Sequence, residues 1–189
     1  MADKLQVLVP IADASEEIET ACITDTLTRA GAAVTVASVK ENGELQVTMS
    51  RGLRILADCG IDECTSKSWD AIVLPGGMPG AERLRDNETL ARMLKEQSAQ
   101  QKVTAAVCAS PAVVFSAHGL LPAAATCYPN PKFKELMPGW SEEKTIMDGH
   151  IITGQGPGTS LQFALKIVEK LYGKPKAEEI AAAMLTTTA

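Results

Sequence analysis

A cysteine and a glutamate carry the chemistry that is legible in this chain. Cys108 lies in Val103-Thr-Ala-Ala-Val-Cys108-Ala109-Ser110-Pro111, an apolar run that turns at a thiol and resumes with helix-forming residues. A buried strand that hands a cysteine straight to a helix start makes a nucleophile elbow. The side chain is pushed out at the sheet edge, where the following amides and the helix dipole favour a thiolate. Glu19 shares a stripe with Ile23, Leu27 and Ala30, at spacings that put all four on one helical face. In an apolar stripe a carboxylate is desolvated, so its pKa rises and it stays protonated near neutrality. Such a group hydrogen-bonds a thiolate, or passes protons to and from a bound carbonyl compound. At the stripe's edge the same side chain would reach solvent, because Glu is seldom fully buried without a partner.

The segment Pro75-Gly76-Gly77-Met78-Pro79-Gly80 suits an oxyanion hole, since glycines let backbone amides point into a site. It equally suits an ordinary strand-to-helix turn. Gly154 to Gly158 is similarly ambiguous: it lacks the G-x-G-x-x-G spacing, and no Walker lysine follows it. His118 stands ten residues beyond Cys108, roughly 15 Å along a continuous helix, and His150 sits beside Asp148-Gly149 in a turn. Neither is a natural partner for the thiol, which disfavours a cysteine-histidine hydrolase. Two histidines without clustered ligands also disfavour a metal site. Cys22 reads as packing on the first helix, and Cys59 and Cys64 as exposed in a loop. Cys127, before Tyr128-Pro129, is placed to approach the site.

These residues need a scaffold, and composition bounds it. With 189 residues, 46% hydrophobic and 22% charged, the chain suits one α/β domain spanning residues 1–189. A net charge of -5 with no basic cluster and 4% aromatic residues argues against nucleic acid or an anionic membrane as the main partner. The apolar stretches are too short for a signal-peptide core or a membrane span. Five cysteines with no C-x-x-C pair argue against a disulfide framework, so a reducing cytoplasm is expected.

Strand and helix signals alternate along the chain. Strands are expected at Leu5 to Ile11, Val34 to Val39, Ala71 to Leu74, Val103 to Val107 and Ile151 to Thr153. Asp13-Ala-Ser-Glu16 has capping-box spacing ahead of a helix from about Glu16 to Ala30, closed by Gly31. Glu44 to Leu56 reads as a hairpin. Further helices are expected at about Asn87 to Ala99, after the elbow, up to Leu171, and at Ala177 to Met184. Residues 121 to 149 read as loops with short elements. The sheet should be mostly parallel with helices on both faces, and its sites should lie beyond the carboxyl ends of the strands.

Together, Ala14-Ser-Glu-Glu-Ile-Glu19-Thr20, Val73-Leu-Pro-Gly-Gly77, Ala105-Ala-Val-Cys108-Ala-Ser-Pro111 and Gly156-Pro-Gly-Thr-Ser160 resemble the ThiJ/PfpI superfamily. Within it they are most similar to the Parkinsonism-associated deglycase, or glyoxalase III-like, branch. The matches run in the family's order across nearly the whole chain. The resemblance implies a flavodoxin-like fold and a homodimer with the first helix at its interface. It further implies a reactive Cys108, a protonated Glu19, an anion pocket from the amides of Gly77 and Ala109, and Arg51 contributed by the partner subunit. Glutathione-independent glyoxalase activity, repair of glycated proteins and oxidative-stress sensing are the implied activities. Two positions depart from the branch: Tyr128-Pro129 replaces a histidine before proline, and Gln155 replaces an arginine before Gly-Pro-Gly-Thr. Ala109 replaces the histidine that follows the cysteine in the peptidase branch, which disfavours a peptidase.

The expected reaction is attack of Cys108 on methylglyoxal or glyoxal, or on their protein adducts, with Glu19 moving a proton between the two carbons. Tyr128 borders the substrate, and no cofactor is required because the protons move within one bound molecule. The competing reading is a redox sensor or chaperone whose output is the oxidation state of Cys108.

Overall fold

The computed structural model describes residues 4–188. Its strands are β1 (Gln6–Ile11), β2 (Ala33–Ser38), β3 (Gln46–Thr48), β4 (Arg54–Leu56), β5 (Cys59–Gly60), β6 (Ala71–Leu74), β7 (Val103–Val107), β8 (Thr145–Asp148) and β9 (Ile151–Gly154). The α-helices are α1 (Glu17–Arg29), α2 (Gly80–Asp86), α3 (Glu88–Ala99), α4 (Ser116–His118), α5 (Pro131–Glu135), α6 (Ser160–Tyr172) and α7 (Lys174–Ala183). Seven strands form one sheet in the order β5-β2-β1-β6-β7-β9-β8, and β3 and β4 pair as a separate hairpin. All the sheet's pairings are parallel except β8 on β9.

Period-2 alternation divides the core between the two faces of the sheet. Val7, Val9 and Ile11 of β1 pack with Ile23 and Leu27 of α1 and with Phe163, Ile167 and Val168 of α6. Leu8 points the other way, into a cluster with Leu84 of α2 and Leu90 and Leu94 of α3. The fold is therefore the expected mostly parallel α/β sandwich. No helix among the described residues is long and apolar enough to cross a membrane.

Strand order reverses at β1, which has β2 on one side and β6 on the other. That switch point is where a crevice opens beyond the carboxyl ends of parallel strands. The registered pairing of β1 with β6 stops at Leu8, two residues before Pro10, which has no amide to give. Beyond it the two chains are joined by loop contacts, with the Glu16 amide donating to the Gly76 carbonyl at 3.0 Å.

Several local details depart from expectation. The α1 N-cap is Glu16, whose Oε2 accepts the Glu19 amide at 2.8 Å. Asp13 instead accepts the Thr48 amide and ties the β1–α1 turn to the hairpin. Helix α2 occupies residues directly after the Gly-Gly turn, and β8 forms an antiparallel edge inside the segment expected to be loop-rich. After the elbow the chain makes a π-helical turn at Pro111–Phe115 before α4, ended by Gly119 at φ 68. Proline at the start of that turn has no amide to donate, so a wider first turn loses nothing there.

Candidate active site

The elbow is held by its neighbours in a conformation a cysteine rarely adopts. Cys108 has φ 64, which for a non-glycine residue costs on the order of 1–2 kcal/mol. Its amide donates to the Gly154 carbonyl at 2.9 Å, and its carbonyl accepts the Tyr128 amide at 2.8 Å. The Ser110 hydroxyl donates to the Pro75 carbonyl at 2.5 Å and ties the elbow to the Gly-Gly turn. The strained residue is thus fixed from β9, from the Tyr128 loop and from the turn after β6.

Glu19 is fully buried on the inner face of α1, with no solvent-reaching alternative. Its Oε2 accepts the Gly76 amide at 2.6 Å, while Oε1 has no partner of hydrogen-bonding geometry. A Cβ placed on Gly156 would lie 3.9 Å from both Oε1 and the Cys108 Sγ, so the unpartnered oxygen and the sulfur border one small space. Burial, more than any other cause, raises the Glu19 carboxyl from 4.5 to about 7, and the charge of Glu16 adds to the rise. The Gly76 amide and the thiol oppose it. With Oε2 accepting from an amide, Oε1 is the oxygen free to carry a proton.

The thiol behaves otherwise than the elbow alone suggests. Burial pushes Cys108 well above its ordinary value, and a charged Glu19 pushes it further. The amides of Gly77 and Ala109 pull it down without prevailing. Helix-start amides therefore do not create a thiolate while Glu19 is ionised; the two groups hold their proton jointly.

Close backbone approach explains the glycines. A Cβ on Gly76 would stand 2.5 Å from the Cys108 Cβ and 3.0 Å from Glu19 Oε2. Gly77 has φ 88, and a Cβ there would strike the Ala14 carbonyl and the Glu16 amide. The glycines divide the work: the Gly76 amide donates to Glu19 Oε2, and the Gly77 amide helps lower the pKa of the thiol.

Tyr128 presents a half-exposed ring over Gly156, where a Cβ would lie 3.3 Å from its Cδ2. Arg51 is not part of this cluster within one chain. It sits in the exposed hairpin turn, with its amide donating to Glu17 Oε1 and its guanidinium to the Ser50 carbonyl. The Gln155 side chain turns away to donate to the Glu142 carbonyl at 2.8 Å. Cys127 is buried with Ala112, Ala125 and Met137, so it is the Tyr128 amide that reaches the elbow. His118 and His150 bond the Arg85 carbonyl and the Ser98 hydroxyl, away from the thiol. Sequence reasoning placed Gly76 in a turn that suits an oxyanion hole and Glu16 at the helix start, but gave neither a role in holding Glu19. Their only signal for that role was to stand beside Gly77 and one helical turn before Glu19.

Fold and elbow together define the cysteine-elbow class of doubly wound α/β proteins. Within that class the assignment is specific: residues 5–170 match the DJ-1/PfpI family, and the chain belongs to it. It is 47% identical over 181 residues to protein DJ-1 homolog B of Arabidopsis thaliana, covering 95% of this chain and 41% of that protein. It spans 46% of a second Arabidopsis relative, protein DJ-1 homolog A, so it covers less than half of either. It is 34% identical over 176 residues to the glutathione-independent glyoxalase DJR-1.2 of Caenorhabditis elegans, covering 92% of this chain and 91% of that one. The solved structure of oxidized Toxoplasma gondii DJ-1 superposes with a TM-score of 0.92 at 47% identity, covering 97% of this chain and 99% of that one.

Proposed function

We propose that this protein is a cofactor-independent, glutathione-independent glyoxalase and deglycase that converts methylglyoxal or glyoxal, or their adducts on proteins, to 2-hydroxy acids. The observation that carries the reading is the unpartnered Glu19 Oε1 bordering the Cys108 sulfur, beneath the amides of Gly77 and Ala109. The relative named a glutathione-independent glyoxalase supports the same activity.

The monoanion of the pair exists as ionised Glu19 with a thiol, or as protonated Glu19 with a thiolate, and both carry the same net charge. A dicarbonyl entering the site draws on the second form. The thiolate adds to the aldehyde carbon, and the oxygen becoming negative is met by the Gly77 and Ala109 amides. Protonated Glu19 gives its proton to that oxygen, completing the hemithioacetal and leaving a carboxylate. The carboxylate then takes the C1–H proton and returns it to C2, while the hydroxyl proton on the C1 oxygen moves to the C2 oxygen, giving a 2-hydroxyacyl thioester. Water cleaves that thioester, releases the hydroxy acid and regenerates the thiol. Tyr128 borders the bound substrate with its ring.

The reading includes a homodimer in the cytoplasm. Ile18 on α1 and Leu53 and Leu56 on the hairpin are exposed apolar side chains around Arg51, which supports pairing through α1 with Arg51 facing the other subunit's site. Five free cysteines support a reducing compartment. Lactate formation from methylglyoxal without glutathione tests the activity. Wild-type turnover in Cys108→Ser or Glu19→Gln protein would sink the mechanism. Glycated-protein repair needs its own assay on preformed adducts with free methylglyoxal removed.

A second reading, redox sensing through Cys108, draws support from the same Oε1, which when protonated is a donor for a sulfinate oxygen. The oxidized state of the Toxoplasma relative accords with it. Peptide mapping after mild peroxide tests it, the expectation being two oxygens on Cys108 before any on Cys22 or Cys127.

A further inference from the structure

Cys59 and Cys64 are neither exposed nor independent. Their Sγ atoms lie 3.5 Å apart. Cys59 begins β5, paired with Ala37 of β2 at the sheet edge. Cys64 closes the 3-10 turn Ile61–Cys64, which folds back over that strand. The turn is fixed at both ends. The Gly60 amide donates to Glu63 Oε1 at 3.0 Å, and the Trp69 indole donates to the Cys64 carbonyl at 3.0 Å. Cys64 is fully buried, whereas Cys59 keeps one side open.

We propose that Cys59 and Cys64 are a second redox site, which closes to a reversible disulfide on meeting a hydroperoxide. The pair stands four strands from β7 in the sheet order, roughly 19 Å at about 4.8 Å per strand, so it acts apart from Cys108. An S–S bond of about 2.05 Å requires side-chain rotation and a small yielding of a one-turn loop.

Cys59, the thiol with an open side, reacts first. Its thiolate attacks one peroxide oxygen, the O–O bond breaks, and the departing oxygen takes up the thiol's proton, leaving Cys59 as a sulfenic acid. The Cys64 sulfur then attacks the Cys59 sulfur, the S–O bond breaks, and the hydroxide leaves as water with the Cys64 proton. Two thiols lose two electrons in all, and one hydroperoxide is reduced. Burial and the neighbouring Cys59 push the Cys64 thiol up to about 12, so Cys64 is not the thiol that meets the peroxide first; it attacks only because it is held against the Cys59 sulfur.

Trypsin cuts after Arg54 and Lys67, leaving both cysteines on one peptide. Reduced full-length protein is treated with hydrogen peroxide, blocked with iodoacetamide in denaturant and digested. The expected peptide is lighter by two hydrogens with neither cysteine alkylated, and dithiothreitol restores both thiols. Cys108→Ser protein should give the same result, which separates this pair from chemistry at the elbow. Cys59→Ser should abolish the link and leave Cys64 alkylatable. Full alkylation of both cysteines after Cys108 has been oxidised overturns the proposal, as does oxygen accumulating on Cys59 without a link.

Discussion

Cys108 and Cys64 are both buried thiols whose proton burial makes harder to lose, yet their partners differ. Cys108 borders a carboxyl group whose own pKa has risen to about 7, so the proton has somewhere else to go while the charge sits on sulfur. Cys64 borders another thiol, and a proton moved between them exchanges like for like. The first arrangement supports nucleophilic addition. The second leaves loss of two electrons as its accessible chemistry. Burial is common to both, and the neighbour decides what the thiol does.

The sharpest break in that comparison is Cys108→Ser. A serine keeps the elbow and its hydrogen bonds but is a far poorer nucleophile at neutral pH, so kcat/KM for methylglyoxal should fall by on the order of 10³-fold or more. Cys59→Ser should leave turnover within about twofold, since that residue lies on another edge of the sheet. Steady-state lactate formation measures both.

Glu19→Gln separates the carboxyl's two contributions. Glutamine accepts from Gly76 and donates toward the sulfur as protonated Glu19 would, but carries no proton between carbons. Turnover should fall by about 10²–10³-fold. Stability should move the other way. The fold raises the Glu19 pKa from 4.5 to about 7. The stability associated with the protonated carboxyl is therefore complete below 4.5 and is lost as pH rises through about 7, up to about 3 kcal/mol. Thermal melts should show the variant near wild type in acid and several degrees more stable a unit or more above neutrality. Iodoacetamide labelling of Cys108 should also rise through about pH 7 in wild type, where the pair loses its first proton, and lose that inflection in the variant. An unchanged labelling profile would uncouple the two groups.

Gly76→Ala tests contact and not chemistry. The new Cβ meets the Cys108 Cβ at 2.5 Å and the Ala109 amide nitrogen at 3.0 Å, neither of which is a flexible side-chain end. Denaturant melts should show a loss of about 1–3 kcal/mol, with turnover reduced because the elbow shifts. Gly158→Ala is the control: nothing lies within 4 Å of its Cβ position, so stability should change by less than about 0.5 kcal/mol.

What was legible in the sequence was whatever depends on one element at a time. Strand β7 ending at Cys108, and the stripe that buries Glu19, follow from period 2 and period 3.6. The division of labour between Gly76 and Gly77 was not legible, because it rests on how closely the turn after β6 approaches an elbow some thirty residues away. The Cys59–Cys64 contact was hidden for a related reason. Residues five apart meet only because a 3-10 turn reverses over a two-residue strand, and neither element has periodicity to read. Strand β8 is four residues on an edge, too short to stand out among Pro and Gly. Arg51 reaches no site group among the described residues, and its expected role rests on the proposed homodimer.

The smallest expected effect belongs to Tyr128. Its amide anchors the elbow through the Cys108 carbonyl at 2.8 Å, a bond that any residue except proline can make. Its ring covers Gly156, while its hydroxyl makes no hydrogen bond among the described residues and the side chain is 47% exposed. Tyr128→Phe should therefore change kcat/KM by no more than about twofold, because removing a solvated hydroxyl leaves no buried group unpaired. Tyr128→Ala strips the ring from over the thiol and should raise KM more than it lowers kcat, the pattern expected of a wall that confines substrate without touching the proton. A large kcat loss in Tyr128→Phe would assign the phenol a proton-donating role, and the elbow's chemistry would then need three groups where the geometry supplies two.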